Sequence, residues 1–512
     1  MKRPLLVLAR ALILAGLWYP AFAAPVDLLV KNALLIPVDP AQPTSFQGHM
    51  TVAADGRILT VQPGEPPAEV VAGAQRVLDV AGKIVAPGFV SAHSHLYMSP
   101  LRGLGHDQTL YGWFRAWDNY LKHSNAEDLY WFTLHGSLDF LRNGVTAAYD
   151  FTYGGTEEWK PTMGAGEAAP QMRLKPGPFQ ENQIRGKADA GLRFYNSVGL
   201  TPVGTPEEIK QRFRDLLAHT ARNHGSDPLY LGTAISGAVQ FFPEKSTAFL
   251  EAEVAKEHDV INQSHFLESP DRVADQQVKF DWYVEAGALN PKFIFGHFIH
   301  TNDYILETTA RFGAAMSWQP TSNGRLADGY ADIVKYKNAG IRIAVGLDDQ
   351  SCTDVPDPFQ NMRIGLYTTR AFHKDATALS VREMLRLHTL GSAEVLGIAD
   401  KVGSLAPGKF ADFLVVDPRS PDTGPVYEAL ATYVLACDLR SLKQVYVGGK
   451  LKVEGLTLVG VDEAKLRSEI DTRTDRLRAA AARVAAQPVA VSVSPATDCV
   501  CDEKHPPLVA AK

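Results

Sequence analysis

The segment from residue 85 to residue 107, VAPGFVSAHSHLYMSPLRGLGHD, places two imidazoles at the end of an apolar run. Side chains two residues apart on a strand point to the same face, so His93 and His95 are expected to project together from the strand end. Two convergent imidazoles are half of a metal site. A bare HxH pair also fits an ordinary polar strand end, so the rest of the chain has to decide between the two interpretations.

Three further apolar runs are followed by side chains that ligate metals or carry protons. They are His265 and Glu268, His297 and His300, and Asp348 and Asp349. Any one of these residues alone is more often structural than functional. Their coincidence at strand ends favours a single site, because the carboxyl ends of the strands of a parallel barrel meet at one mouth.

Apolar runs alternate with amphipathic segments between residues 85 and 404, and this alternation predicts the strands and helices that position these side chains. The eight runs are IVAPGFVSAH, GVTAAYDF, GLRFYNSV, LYLGTAIS, VINQSHF, KFIFGHF, AAMSWQP and RIAVGL. Eight such units predict an α/β fold, a (β/α)8 TIM barrel. Residues 24–84 and 405–460 instead contain short β-like runs with glycine turns, so two β-rich ends bracket the barrel.

The sequence patterns at the two ends of the chain differ from the alternating pattern of the middle. Residues 1–23 have a basic start, a short apolar stretch and an Ala-Phe-Ala site, which predicts a cleaved signal peptide. We therefore expect a periplasmic or secreted protein with no stable membrane insertion after cleavage. Residues 461–512 predict a helix followed by a tail. Cys499 and Cys501 form a C-x-C pair in this tail that could form a strained disulfide, bind a metal weakly or have no role, and we favour the last.

The composition and net charge of the chain limit the classes of partner that it is expected to bind. The chain is 46% hydrophobic and 21% charged, which is typical of a globular protein that buries a large core. A formal charge of −6 and an isoelectric point near 6.2 give no basic surface for nucleic acid. A small-molecule substrate is the expected partner, and a homo-oligomer remains open.

Four stretches of the sequence resemble the metal-dependent amidohydrolase superfamily, in its branch of deaminases and triazine chlorohydrolases. They are VAPGFVSAHSHLYMSPLRGL, PTSNGRLADG, GLDDQSCTD and LHTLGSAEVLGIADKVGSLAPGKFADFLVVD. The resemblance extends from about Val26 to Gly455 and implies a barrel with a β-sandwich domain built from both flanks. It also implies the ligands of one metal ion, namely His93, His95, His265 and Asp348, with Glu268 and His297 beside them.

This ligand set implies a definite chemistry. Three imidazoles and a carboxylate hold a divalent ion with room for water, whose pKa falls toward about 7 so that hydroxide forms at neutral pH. We expect Asp348 to take the proton of the water and Glu268 to carry one to the leaving nitrogen. We expect His297 to polarise the bond under attack or to stabilise the developing oxyanion.

The resemblance also bears on the number of ions. Related binuclear barrels carry a bridging carbamylated lysine on the fourth strand, whereas LYLGTAISGA contains no lysine. We therefore expect one ion, Zn²⁺ before Fe²⁺, Mn²⁺ or Co²⁺.

Substrate contacts are less defined by the sequence. The resemblance places the segment containing Trp113 and Trp117 over the pocket, although such aromatic side chains are more often core. His300 is expected to be a substrate contact or a satisfied loop histidine, and Asp349 a substrate contact, a support for a ligand or a solvated side chain. Nucleoside-processing relatives carry an acidic pair where His106 and Asp107 stand, which weakens a nucleoside interpretation.

Three functions remain open on the sequence alone. Two are hydrolytic: deamination of an amino-substituted heterocycle, and hydrolysis of an amide, urea or carbamate bond or of a ring chloride in a small compound. The third is an exported metal- or ligand-binding protein without catalysis. Glu268 and His297 argue against the third, because a binding protein needs neither a proton carrier nor a polarising group.

Residues 154–184 interrupt the barrel pattern after its second strand. The segment is long and rich in glycine and proline, which predicts an insertion without regular structure that acts as a lid over the catalytic mouth or is simply a surface loop.

Overall fold

The computed structural model describes residues 25–159, 171–419 and 423–485. Its strands are β1 Val26–Leu35, β2 Phe46–Ala53, β3 Ile58–Pro63, β4 Arg76–Asp79, β5 Ile84–Pro87, β6 Phe89–Ser94, β7 Val145–Phe151, β8 Thr156–Trp159, β9 Gln171–Leu174, β10 Arg193–Gly199, β11 Tyr230–Gly237, β12 Asn262–Phe266, β13 Phe293–His297, β14 Ala315–Trp318, β15 Arg342–Val345, β16 Phe413–Val416, β17 Leu442–Val447, β18 Lys450–Glu454 and β19 Thr457–Leu458.

The helices of the described residues lie mostly between the barrel strands. They are α1 Ala68–Gly73, α2 Leu110–Leu121, α3 Ala126–Arg142, α4 Phe179–Ala190, α5 Pro206–His224, α6 Ser246–His258, α7 Val273–Glu285, α8 Asp303–Arg311, α9 Pro320–Arg325, α10 Ile333–Asn338, α11 Pro358–His373, α12 Val381–Arg386, α13 Ser392–Val395, α14 Ala429–Leu435 and α15 Glu463–Ala485. A 3₁₀ helix at Leu96–Leu101 and a π-helical turn at Leu387–Gly391 complete the set.

The barrel expected from the sequence is confirmed. Eight parallel strands pair in the order β6-β7-β10-β11-β12-β13-β14-β15. The ends of the first and last strands approach each other, since the Asp348 amide donates a hydrogen bond to the His93 carbonyl at 3.0 Å. Ser94 and Asp348 also form a single parallel β-bridge, so the sheet is nearly closed. Strands such as β7 and β13 are buried along their whole length, because the barrel interior covers one face and the helices cover the other.

The second β unit is confirmed as a product of both chain ends. It is one mixed sheet of nine described strands, with β1–β5 from the N-terminal side and β16–β19 from the C-terminal side. The sheet packs a core of its own, which includes Leu35, Val52 and Phe413. Both ends of the chain are therefore needed to form one structural unit beside the barrel.

The expectation of a single first strand over residues 84–93 is wrong. Residues Ile84–Pro87 form β5, which pairs with β1 and β16 in the second sheet, and the barrel begins only at β6. The chain passes from one sheet to the other at Gly88, where a Cβ atom would lie 2.2 Å from Thr146 Oγ1. Only glycine allows this close approach, so the boundary falls after β5.

The prediction that the insertion after the second barrel strand lacks regular structure is partly wrong. Strands β8 and β9 form a two-stranded antiparallel hairpin, and α4 begins at Phe179 within the segment expected to lack regular structure. Residues 160–170, between the two strands, lie outside the described part of the chain. The hairpin thus gives this insertion a defined base at the barrel mouth.

The described residues include no helix that is both long and apolar enough to cross a membrane. The expected signal peptide and the Cys499–Cys501 pair lie outside the described residues. At the C-terminal side, α15 packs on α2 and α3, and Arg476 forms an ion pair with the buried carboxylate of Asp128.

Candidate metal centre

Five of the polar side chains singled out in the sequence lie at the carboxyl ends of barrel strands. His93 is in β6 and His95 follows it, His265 is in β12, His297 ends β13, and Asp348 comes three residues after β15. Strand pairing therefore brings residues from four parts of the chain to one mouth. All five are buried except His95 and His265, which are half-buried.

The ligand set implied by the resemblance converges in the structure. His95 Nε2 lies 3.3 Å from His93 Nε2 and 3.1 Å from His265 Nε2. Asp348 Oδ1 lies 3.7 Å and 3.5 Å from the Nε2 atoms of His93 and His95. A tetrahedral ion with Zn–N distances of about 2.0–2.1 Å separates its ligand atoms by a little more than 3 Å, so the three imidazoles have the spacing of ligands of one divalent ion, with Asp348 next to two of them.

The protonation state of the three imidazoles suits metal binding. Burial lowers the pKa of His93 to about 3, and burial together with the neighbouring rings lowers the pKa values of His95 and His265 well below the usual value. Neutral rings offer nitrogen lone pairs to a cation, and a metal ligand has to be in this form. The Phe151 ring packs 4.6–4.9 Å from all three imidazoles and holds them together.

Gln263 orients His93, and the sequence interpretation missed it. Gln263 Oε1 accepts a hydrogen bond from His93 Nδ1 at 2.6 Å, which leaves His93 Nε2 free to face the other ligands. Gln263 Nε2 in turn donates to the Ala92 carbonyl at 2.9 Å. Gln263 lies two residues before His265 on the same strand face, so a polar residue at that spacing was the signal available in the sequence.

We expect Gln263→Ala to weaken metal binding by roughly 10- to 100-fold, because it removes the acceptor that fixes the His93 ring and its tautomer. Competition with a chelator of known affinity measures the change. Gln277→Ala is the matched control, because Gln277 donates to the His300 carbonyl and touches no expected ligand. Equal affinities in wild type and Gln263→Ala would contradict the orienting role.

His297 lies beside the four-ligand set and faces Glu268. Its Nε2 is 3.4 Å from Glu268 Oε1 and 3.8 Å from Asp348 Oδ2. Asn323 Nδ2 donates to His297 Nδ1 at 2.8 Å, which leaves the proton of the neutral ring on Nε2, toward the site. Gln319 Oε1 accepts from the His297 backbone amide at 3.0 Å. His297 is thus positioned as a hydrogen-bond donor.

Glu268 is buried two residues beyond the end of β12. Gln240 Nε2 donates to its Oε2 at 3.1 Å, and its Oε1 faces His297. Burial and the carboxylates of Asp328 and Asp348 raise the pKa of Glu268 well above its usual value. A carboxyl group whose pKa is raised in this way can hold a proton and give it up near neutral pH, as a general acid requires.

Asp348 is held in an unusual backbone conformation. Its φ of +59° lies in the left-handed region, and Ser322 Oγ donates to its Oδ2 at 2.6 Å. Burial and the adjacent Asp349 raise its pKa to about 8. Positive φ at a residue other than glycine is strained, and such strain is concentrated at functional sites.

Asp349 mainly supports the loop that carries Asp348. Its Oδ1 accepts from the backbone amides of Ser351 and Cys352 at 2.6 Å and 3.1 Å. Its other oxygen has no hydrogen bond within the described residues and lies in a group with His95 and Asp348. The structure therefore places it as a support for a ligand, and a direct substrate contact stays a prediction.

His300 has the geometry of a satisfied loop histidine. Its Nε2 donates to the Asp328 carbonyl at 2.7 Å, and burial lowers its pKa. This hydrogen bond ties the His300 ring to the backbone of the segment between α9 and α10. A substrate contact by His300 stays a prediction.

The aromatic segment lies beside the mouth, but different rings from those predicted are exposed. Trp113 and Trp117 are buried, whereas Phe114 is 41% exposed and packs 4.4 Å from Trp117. Phe241, which is 42% exposed, lies between Phe114 and His265 with ring separations of 6.4 Å and 6.0 Å. Direct contacts by the two tryptophans stay predictions, and the exposed aromatic wall is formed by the two phenylalanines.

A cavity of about 290 Å³ opens onto the half-buried imidazoles. Its lining includes His95, His265, Phe151 and Phe241, together with Met172 of the hairpin. This mostly apolar lining with imidazoles at one side suits a small planar molecule.

Comparison with known families identifies the chain. Residues 84–452 match the model of the amidohydrolase family, which is more than half of the chain. The chain belongs to the amidohydrolase family. The resemblance inferred from the sequence is confirmed, and the protein is a hydrolase that acts on carbon–nitrogen bonds.

This amidohydrolase is similar to curated deaminases over most of its length. It is 27% identical to the 5-methylthioadenosine/S-adenosylhomocysteine deaminase of Bacillus cereus (strain AH187), covering 85% of this chain and 96% of the relative. It is also 27% identical to the protein of the same description from Syntrophobacter fumaroxidans, covering 88% and 98%. The amidohydrolase is therefore deaminase-like.

Solved structures share its fold over most of the chain. A zinc-bound adenosine deaminase from Xanthomonas campestris superimposes with a TM-score of 0.76 at 23% identity, covering 89% of this amidohydrolase and 99% of that chain. Atrazine chlorohydrolase from Arthrobacter aurescens, complexed with zinc, gives a TM-score of 0.73 at 19% identity, covering 87% and 100%.

Proposed function

We propose that this amidohydrolase is a zinc-dependent deaminase of a small amino-substituted N-heterocycle. The observation that carries the proposal is the position of Glu268 Oε1, 3.4 Å from the Nε2 atom of His297, which itself lies close to His93 and Asp348. A site that only binds metal has no use for a buried proton carrier. The similarity to curated deaminases along 85% of the chain supports the leaving group, ammonia.

The residues divide the work as follows. His93, His95, His265 and Asp348 would hold one zinc ion. When bound, the ion would polarise a water molecule and lower its pKa to about 7. Asp348 would hold the proton released from the attacking water at its Oδ2, the oxygen that lies 3.8 Å from His297 Nε2. Glu268 delivers a proton to the leaving nitrogen, and His297 Nε2–H donates to the heteroatom on which negative charge develops.

A substrate screen tests the proposal. The purified, zinc-loaded protein is incubated with aminated pyrimidines, purines, pterins and triazines, and with matched amides, ureas and a chlorinated triazine. Ammonia release from at least one aminated heterocycle, absent in Glu268→Gln, is the expected result. Hydrolysis of amides or ureas alone would replace deamination with amide hydrolysis, and no turnover of any compound would contradict the proposal.

We further propose that the protein acts outside the cytoplasm on a small molecule, without a nucleic-acid partner. The basic, apolar and small-residue pattern of residues 1–23 supports export, and the charge of −6 supports the absence of nucleic acid. Intact-mass measurement of the protein recovered from the periplasm tests export, with a mature chain beginning at Ala24 expected.

The hairpin β8–β9 is proposed as a lid over the cavity. It contributes Thr156 and Met172 to the cavity lining, and it follows β7, which ends beside the imidazoles at Phe151. Replacing residues 156–174 with a short Gly/Ser link should change KM and substrate preference while metal content stays unchanged, because no expected ligand lies in the segment. Steady-state kinetics across the active substrates measures the effect, and identical kinetics would exclude a lid.

A further inference from the structure

Asp328 is a buried carboxylate beside the candidate site to which the proposed reaction gives no role. Its side chain is fully buried, and neither carboxylate oxygen accepts a hydrogen bond from the described residues. A hydrogen-bonding contact with Asn323 lowers the pKa of Asp328, but it lacks the geometry of a normal hydrogen bond, and Asn323 Nδ2 is directed at His297 Nδ1. A buried carboxylate without a good partner is unfavourable, so a group from outside the chain that binds it would stabilise it.

The backbone holds Asp328 in place. Its amide donates to the Asn323 carbonyl at 2.9 Å, and its carbonyl accepts from His300 Nε2 at 2.7 Å. With both backbone groups fixed, an Asp328 oxygen lies within 4.8 Å of a Glu268 oxygen and of a His297 ring nitrogen. Two buried carboxyl groups therefore lie close together beside His297.

The charges at the mouth do not balance with one ion. Four buried carboxylates meet there, and within the described residues none of them forms an ion pair with a lysine or arginine. They are Glu268, Asp328, Asp348 and Asp349. One divalent ion on the expected ligands lies nearest Asp348, and Glu268 carries a proton in the proposed reaction, so Asp328 is left without a cation of its own. Burial and the Asp348 charge raise the pKa of Asp328 to about 8, and a cation bound beside it would favour the ionised carboxylate.

We propose that Asp328 receives a planar nitrogen cation of the substrate, an amidinium or a protonated amino-heterocycle, and thereby selects substrates that carry one. The inference deepens the proposed function and rests on it. A planar cation with several N–H groups matches carboxylate oxygens in geometry and charge. A second metal ion on Glu268, His297 and Asp328 fits less well, because it would occupy the carboxyl group that has to carry the proton.

The test compares two ligands of the same shape. Benzamidine is a planar cation at neutral pH, and benzamide is its neutral counterpart. Their affinities for the zinc-loaded full chain are measured by calorimetry for wild type, Asp328→Asn and Asp328→Ser. Asp271→Asn is the control, since Asp271 is an exposed carboxylate that also acts on Asp328 through space. Zinc content and melting temperature are recorded for every variant.

Wild type is expected to bind benzamidine at least about tenfold more tightly than benzamide. Both Asp328 variants should lose most of this preference, and Asp271→Asn should keep it. No preference in wild type, or an unchanged preference in a folded Asp328 variant, would overturn the proposal. So would two equivalents of zinc in wild type that fall to one in Asp328→Asn. Because binding is measured without turnover, failure of the proposed deamination would show separately in the substrate screen.

Discussion

Replacing His265 with alanine is expected to remove the bound metal and, with it, all measurable activity. His265 Nε2 lies 3.1 Å from His95 Nε2 in the cluster that fits one divalent ion. Loss of one of three imidazoles leaves a site with too few strong ligands to retain zinc during purification. Because ligands that bind only the folded state stabilise it, the variant should also melt at a lower temperature than the zinc-loaded wild type.

Elemental analysis, activity and thermal melting of the same preparations check this prediction. One zinc per chain is expected in wild type and much less than one in His265→Ala. His106→Ala serves as the control, because His106 is an exposed histidine of the same mouth region and belongs to none of the candidate ligand groups in the described residues. Full zinc occupancy in His265→Ala would mean that the ligand set has been assigned wrongly.

Replacing Glu268 with glutamine should separate metal binding from catalysis. Glutamine keeps the shape of the side chain and its contact with Gln240, but it cannot carry a proton to the leaving group. We expect kcat to fall by about 10² or more while zinc content stays near one per chain, since this is the usual scale of general acid–base catalysis. The fall should be smaller for substrates whose leaving group departs without protonation.

Two comparisons sharpen the Glu268 experiment. Glu251→Gln is a control for changing a buried glutamate nearby, because Glu251 binds the Ala238 amide and makes no contact with the ligand set. A series of substrates with leaving groups of different basicity then tests the proton transfer itself. Joint loss of zinc and activity in Glu268→Gln would show that Glu268 is a ligand and not the proton carrier.

Much of the barrel could be predicted because its strands are buried on both faces and read as apolar runs. The same property located His93, His265, His297 and Asp348, since each follows such a run where the strand ends. The passage of the chain from the second sheet to the barrel at Gly88 could not be predicted, because a glycine within an apolar run does not indicate that the chain changes sheets. Only the packing of Thr146 against that glycine shows it.

The residues around the ligands were harder to find. Gln263 and Asn323 act through single hydrogen bonds to ring nitrogens, and such contacts depend on which strands become neighbours. Asp328 lies in a stretch used for the resemblance, PTSNGRLADG, but nothing in that pattern reveals that its carboxylate is buried without a partner. The hairpin β8–β9 escaped detection because glycine and proline around it are typical of loops.

The position of β5 in the second sheet has a consequence for how the chain folds. Val85 pairs with Leu35 on one side and with Val415 on the other, so one neighbour is 50 residues away and the other 415 − 85 = 330 residues away. Until β16 has been made, β5 is an open edge of apolar backbone that can pair with other chains. Pairings this distant form slowly. We expect the sheet to close late, after nearly the whole barrel is present, and chains that stop short of β16 to aggregate.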